Sequence, residues 1–109
     1  MESVYQDCLA IEFRRRGLAA IREQVLTIDY KGERIPSTYK ADFVVDAVLV
    51  ELKAKSDLHP SDEAQVVNYL RATGLPVGLL LNFGERRLVA RRFVHRFKPT
   101  ISAGSAFSA

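Results

Sequence analysis

Tyr39-Lys-Ala-Asp42-Phe-Val-Val-Asp46-Ala-Val-Leu-Val-Glu51-Leu-Lys53-Ala54 reads as two strands, residues 42–45 and 48–53, joined by a tight turn at Asp46-Ala47. With a two-residue loop, Val45 faces Val48, and counting back along both strands sets Asp42 opposite Glu51. Directly opposed residues of an antiparallel pair share a face, with Cβ atoms roughly 4.5–5.5 Å apart. Lys53 lies two residues beyond Glu51 and points the same way. The hairpin therefore gathers two carboxylates and an amine at one end of a sheet.

Glu-x-Lys is a common tripeptide, and on an amphipathic strand it is usually a solvated face. Here Val48, Leu49 and Val50 are apolar at both parities, which indicates a strand buried on both sides. Asp42 and Glu51 then share an otherwise apolar face with Val44 and Leu49. Like charges placed opposite each other are destabilising. A divalent cation would offset the repulsion, since Mg²⁺ is typically held by one or two carboxylates plus substrate phosphates. A plain ion-pair network with Lys53 is the alternative.

Around this hairpin the chain alternates between helical and strand patterns. Residues 2–16 read as a helix with Val4, Tyr5, Cys8, Leu9 and Phe13 on one apolar face and Cys8 as a small core residue. Arg14-Arg15-Arg16 falls in its last turn, and Gly17 suits the position after the cap. Residues 24–30 alternate as a strand, Lys31-Gly32 is a turn, and residues 34–36 start the return. Pro36 restricts that return to an edge or a strand beginning. Ser61 is the expected cap of a helix over 61–73, ended by Gly74 and Pro76. Residues 77–83 are a short buried strand, which makes a βαβ unit with the strand at 48–53. Gly84-Glu85 turns into a last basic strand over roughly 87–97. Residues 99–109 are small and Ser/Ala-rich and read as a disordered tail, leaving 1–98 as one domain.

A length of 109 residues suits a single modest core, and 48% hydrophobic with 27% charged residues is ordinary for a soluble globular chain. No apolar run approaches the ~20 residues that span a bilayer. Met1-Glu-Ser-Val lacks the basic start and apolar segment of a signal peptide, so a cytoplasmic location is expected. One cysteine, Cys8, excludes an internal disulfide and a multi-cysteine zinc site. His59 and His95 lack the partners of a metal cluster. The net charge is only +3 but unevenly spread, with Arg86, Arg87, Arg91, Arg92, Arg96 and Lys98 crowded near the end. Such clusters suit a phosphate backbone, although taken alone they read first as a solubilising surface.

Asp42, a hairpin, then Glu51-Leu-Lys53 resembles the core of the PD-(D/E)xK nucleases. Glu2-Ser-Val-Tyr5, Glu51-Leu-Lys53-Ala, Gln65 to Tyr69 in one helix, and Gly78-Leu-Leu-Leu-Asn-Phe-Gly84 together resemble the bacterial GxxExxY proteins, a branch of that superfamily. The likeness spans about residues 2–97. Family members carry a further helical stretch and a glycine before the position of Glu2, so this chain is expected to be short at its start. The resemblance implies an α/β, restriction-endonuclease-like core: a mixed β-sheet flanked by helices in αβββαβ order, with an extra C-terminal strand here. It implies that Asp42 and Glu51 ligate Mg²⁺, with Mn²⁺ as a substitute and the Leu52 carbonyl as a further ligand. Lys53 would stabilise the attacking hydroxide or the transition state, and Gln65 would position water or phosphate. Glu2 corresponds to an acid that the superfamily supplies from its first helix, as a water-mediated or second-metal ligand. Tyr5 and Tyr69 are expected to pack near the site.

These readings point to metal-dependent phosphodiester hydrolysis by a DNA endonuclease or repair-type nuclease. Two others stand beside it, a non-catalytic nucleic-acid-binding module and a structural domain in which the acids and lysine form only ion pairs. A chain this small covers little nucleic acid, so a homodimer cutting both strands is compatible with the size.

Overall fold

The computed structural model describes residues 1–95. Helix α1 (Glu2–Arg15) leads into β1 (Ala20–Tyr30), β2 (Glu33–Val45) and β3 (Val48–Lys53). Helix α2 (Pro60–Thr73) then crosses to β4 (Val77–Asn82), and β5 (Val89–Val94) follows. The strands form one sheet in the order β1-β2-β3-β4-β5. Only β3 and β4 run parallel, joined by α2, and every other neighbouring pair is antiparallel. This is the mixed α/β arrangement expected from the chain, including the strand beyond the βαβ unit.

The sheet separates two hydrophobic clusters. On the α2 side lie Ala41, Val44, Leu49, Val66, Leu70 and Leu80. On the other side Phe43, Val50 and Leu52 meet Tyr5, Leu9 and Phe13 of α1. Residues Leu49 to Leu52 are buried in succession, as apolar residues at both parities of β3 require. Glu51 is the charged member of that run.

Several local expectations change. Cys8 is exposed rather than a core residue. The face that α1 turns inward runs through Tyr5, Leu9 and Phe13 and includes Gln6, which is 8% exposed. The cap of α2 is His59 rather than Ser61. Its ring Nδ1 accepts from the Ser61 N–H at 3.1 Å, and Asp62 accepts from the His59 N–H at 2.8 Å. Pro60 occupies the first helical position, where a missing N–H costs nothing. Gly74 ends the helix in the left-handed region, at φ 78°.

Strand β1 begins at Ala20, earlier than the alternation at 24–30 showed. Strand β2 runs straight through Pro36, because the register shifts there. Thr27 pairs with Thr38 and Asp29 with Arg34, so Pro36 falls where no ladder bond is asked of it. Strand β5 begins at Val89, later than the expected start at 87. Residues 96–109, with the expected end of that strand, the boundary at 98 and the tail, lie outside the described residues.

The chain leaving β3 is clamped by β4. Asn82, fully buried, accepts from the Lys55 N–H at 3.0 Å and donates to the Lys55 carbonyl at 3.0 Å. It also donates to Glu85 Oε2 at 2.8 Å. Gly84 passes so close to this segment that a Cβ would collide with the Lys55 main chain. Lys55 in turn holds the buried Asp62 carboxylate with its ammonium at 2.8 and 2.9 Å. The stretch just after Lys53 is thereby fixed between β4 and the start of α2.

Replacing buried Asn82 with Ala removes the side chain that pairs both main-chain groups of Lys55. The expected loss is about 1–3 kcal/mol of unfolding free energy, measured by urea denaturation. Gly84→Ala should also be destabilising, although the glycine's backbone is not left-handed.

Candidate active site

The site forms where two strands part. The β2–β3 ladder runs through Val45↔Val48, Val44↔Leu49 and Phe43↔Val50 and stops there. At the next step, side chains replace main-chain partners. The Asp42 N–H donates to Glu51 Oε2 at 3.0 Å, and the Leu52 N–H donates to Asp42 Oδ2 at 2.8 Å. The two carboxylates therefore satisfy the amides that the diverging strands leave open. Asp42 and Glu51 are brought together as the hairpin register predicts.

The pleat of β2 is also interrupted at this point. Glu23, which lies opposite Asp42 between the pairs Arg22↔Phe43 and Gln24↔Ala41, takes φ 52°. Tyr39 and Ala41 consequently join the α2-side cluster with Val44, while Phe43, two residues from Ala41, lies on the other side. This places Tyr39 beside Glu51. Its ring stacks on Tyr69 of α2 with centroids 3.5 Å apart. The Tyr39 hydroxyl is buried without a well-formed hydrogen bond, although it lies near enough to the Glu51 carboxylate to interact with it.

Burial dominates the electrostatics. It pushes the Glu51 carboxyl up to about 7, and the Asp42 charge adds to the rise. The Tyr39 hydroxyl, the Asp42 N–H and the Lys53 charge oppose it without cancelling it. Burial also raises Tyr39, followed by the effect of Glu51. Tyr69 is raised by burial and by Glu51, with the neighbouring Gln65 side chain acting against the rise.

The remaining candidates fall at graded distances from this pair. Lys53 is opposite Asn82 in the β3–β4 register, on the same face as Glu51, and its charge acts on both Glu51 and Asp62. Gln65 is exposed on α2 and reaches Tyr69 rather than the carboxylates. Glu2 is exposed at the start of α1, one turn before Gln6. Among the described residues no three His, Cys, Asp or Glu side chains converge, so the acidic set is the Asp42–Glu51 pair alone. Arg86 and Arg87 line an open groove with Ser56, Gly84, Glu85 and Val89. Arg91 pairs with Leu80 and Arg92 with Leu79, so the two point to opposite faces, and only Arg91 shares the Glu51 side.

Two contributors escaped the sequence reading. Gln6 donates from Nε2 to Asp42 Oδ1 at 3.0 Å, and Tyr39 abuts Glu51. A polar residue one turn beyond Glu2 on a helix with an apolar face was the available signal for Gln6. Tyr39 had none, because strict alternation places it on the wrong side.

The donor set suits a hard divalent cation. Two carboxylates and a nearby main-chain carbonyl are oxygen ligands of the kind Mg²⁺ or Mn²⁺ prefers. A buried Glu51 whose carboxyl resists ionisation, beside a second acid and an orphaned hydroxyl, is a place where a positive charge is wanted.

Residues 1–96 match the family model of the PD-(D/E)XK nuclease superfamily. With that match over most of its length, the chain belongs to this superfamily. Among solved structures, the crystal structure of SSO0001 superposes with a TM-score of 0.66 at 14% identity, covering 88% of this chain. The chain spans about half, 52%, of that structure's length, and at this identity the likeness is one of fold. No curated protein matches. Among the described residues no helix is long and apolar enough to cross a membrane.

The raised Glu51 carboxyl links stability to pH. The folded chain keeps this proton up to about pH 7, whereas the unfolded chain releases it near 4.5. Its contribution is therefore full below 4.5 and is lost as pH rises to 7, on the order of 3 kcal/mol. In EDTA, Glu51→Gln should be more stable than wild type at pH 8 and nearly equal to it at pH 4.5. Urea midpoints at the two pH values measure this, and an equal pH trend in both proteins would contradict it.

Proposed function

We propose that the chain hydrolyses phosphodiester bonds of nucleic acid, with DNA the first candidate, as a member of the GxxExxY branch of the superfamily. The single observation that supports this most is the pairing of half-buried Asp42 with buried Glu51, with Lys53 on the same face of β3 as Glu51.

Asp42 and Glu51, with the Leu52 carbonyl, would hold Mg²⁺ or Mn²⁺. The ion would polarise the scissile phosphate and make a bound water acidic. The chain's own groups do the rest. The Leu52 and Asp42 amides orient the two carboxylates before any ligand arrives, so little reorganisation is left for the reaction. The Lys53 ammonium stands beside Glu51 and would bind the attacking oxygen or a non-bridging phosphate oxygen. The Tyr39–Tyr69 stack lies beside Glu51 on the α2 side and would limit water around it, and Gln65, next to Tyr69, would position water or phosphate. Glu2, exposed at the start of α1, would join through water. Arg91 and the groove at Arg86 and Arg87 would carry the sugar–phosphate chain toward the site. Such contacts make binding fall steeply with salt.

The test is cleavage of duplex, single-stranded, branched and supercoiled DNA and of RNA, with Mg²⁺ or Mn²⁺. At least one substrate should be cut, with activity abolished by EDTA. Lys53→Ala should lower the rate on the order of 100-fold or more while leaving nucleic-acid binding in place. Folded wild-type protein that binds nucleic acid and cuts none of the panel would instead identify a non-catalytic binding module.

A further inference from the structure

Asp42 is held from α1 by a chain of three polar side chains. Gln6 Nε2 donates to Asp42 Oδ1 at 3.0 Å. Arg22 Nε on β1 donates to Gln6 Oε1 at 2.7 Å. A second guanidinium nitrogen of Arg22 meets Asp7 Oδ1 at 2.6 Å, one residue along α1 from Gln6. The orientation of the Gln6 amide follows from its partners. A guanidinium has no acceptor and an ionised carboxylate has no donor, so only one of the two amide orientations satisfies both neighbours. Gln6 is 8% exposed on a helix whose inward neighbours are Tyr5, Leu9 and Phe13. A glutamine there needs partners, and burying it without them would cost free energy.

We infer that Gln6 is a positioning residue for Asp42, and that Arg22 fixes the Gln6 amide so that its NH₂ group always faces the carboxylate. With the Leu52 N–H on Oδ2 and Gln6 on Oδ1, both Asp42 oxygens are tethered. Each keeps a lone pair free for a cation. The carboxylate plane is thereby set from two different elements, β3 and α1. The inference rests on the proposed role of Asp42 as a metal ligand. Partners that hydrogen-bond a ligating side chain change metal affinity by typically 10–100-fold when removed.

The experiment is calorimetric titration of the full chain with Mn²⁺. It compares wild type, Asp42→Asn, Gln6→Met, Arg22→Met and the Gln6→Met/Arg22→Met double variant, with melting curves in EDTA to confirm folding. Gln6→Met keeps the side chain's length and removes its donor. It should weaken Mn²⁺ binding by about 10-fold or more. Arg22→Met should weaken it in the same direction, and the double variant should be no weaker than Gln6→Met, because the two residues act in series. Should Gln6→Met fail to fold, Arg22→Met alone decides the matter by the same affinity. Wild-type affinity in folded Gln6→Met or Arg22→Met, alongside loss in Asp42→Asn, overturns the inference and leaves the metal reading standing. Additive losses in the double variant overturn the serial arrangement. No binding by wild type overturns both.

Discussion

Two strands that stop pairing sooner than their length allows define this molecule. Past Phe43↔Val50, β2 and β3 diverge, and the amides of Asp42 and Leu52 are met by carboxylates rather than carbonyls. A buried amide without a partner costs about as much as a lost hydrogen bond. The acids are thus part of how the sheet ends as well as candidates for chemistry. Their orientation is set by main-chain groups, and so by the fold itself.

Everything packed around this point serves to hold the divergence open. Helix α1 supplies Gln6 from one side, and α2 supplies Tyr69 against Tyr39 from the other. Behind Lys53, Asn82 binds both main-chain groups of Lys55, and the Lys55 ammonium closes on Asp62 at the start of α2. The parallel β3–β4 pair, its crossover helix and the end of the hairpin are consequently tied through one short segment. A small core of two clusters can then support a site in which Glu51 is buried while Asp42 and Lys53 are half-buried. The cost shows at Glu51, where burial outweighs three stabilising neighbours and leaves the carboxyl near 7.

Membership of a nuclease superfamily makes a phosphodiester hydrolase the natural reading, while the activity itself belongs to residues and has to be argued there. Asp42 and Glu51 meet at one corner of the sheet, with Lys53 two residues along β3 from Glu51. Gln65 stands further off, beside Tyr69. The arginines divide, with Arg91 on the Glu51 face and Arg92 behind the sheet.

Much of this was readable in the chain because its causes are local. The period-two alternation and a two-residue loop suffice to oppose Asp42 to Glu51. Apolar residues at both parities mark β3 as central, and Gly74 marks the end of α2. Other features depend on long-range partners. Gln6 is an unremarked polar residue until β1 delivers Arg22 and β2 delivers Asp42, 16 and 36 residues away. Tyr39 reaches Glu51 only because the pleat of β2 breaks opposite the left-handed Glu23, which reverses the face that alternation assigns it. Asn82 lies unremarked within the apolar run 77–83, and is a buried clamp because the exit of β3 lies against it. Strand parity and capping are written in neighbouring residues. Which polar side chains meet across the sheet is settled by where strands diverge and helices dock, and that is a property of the folded chain.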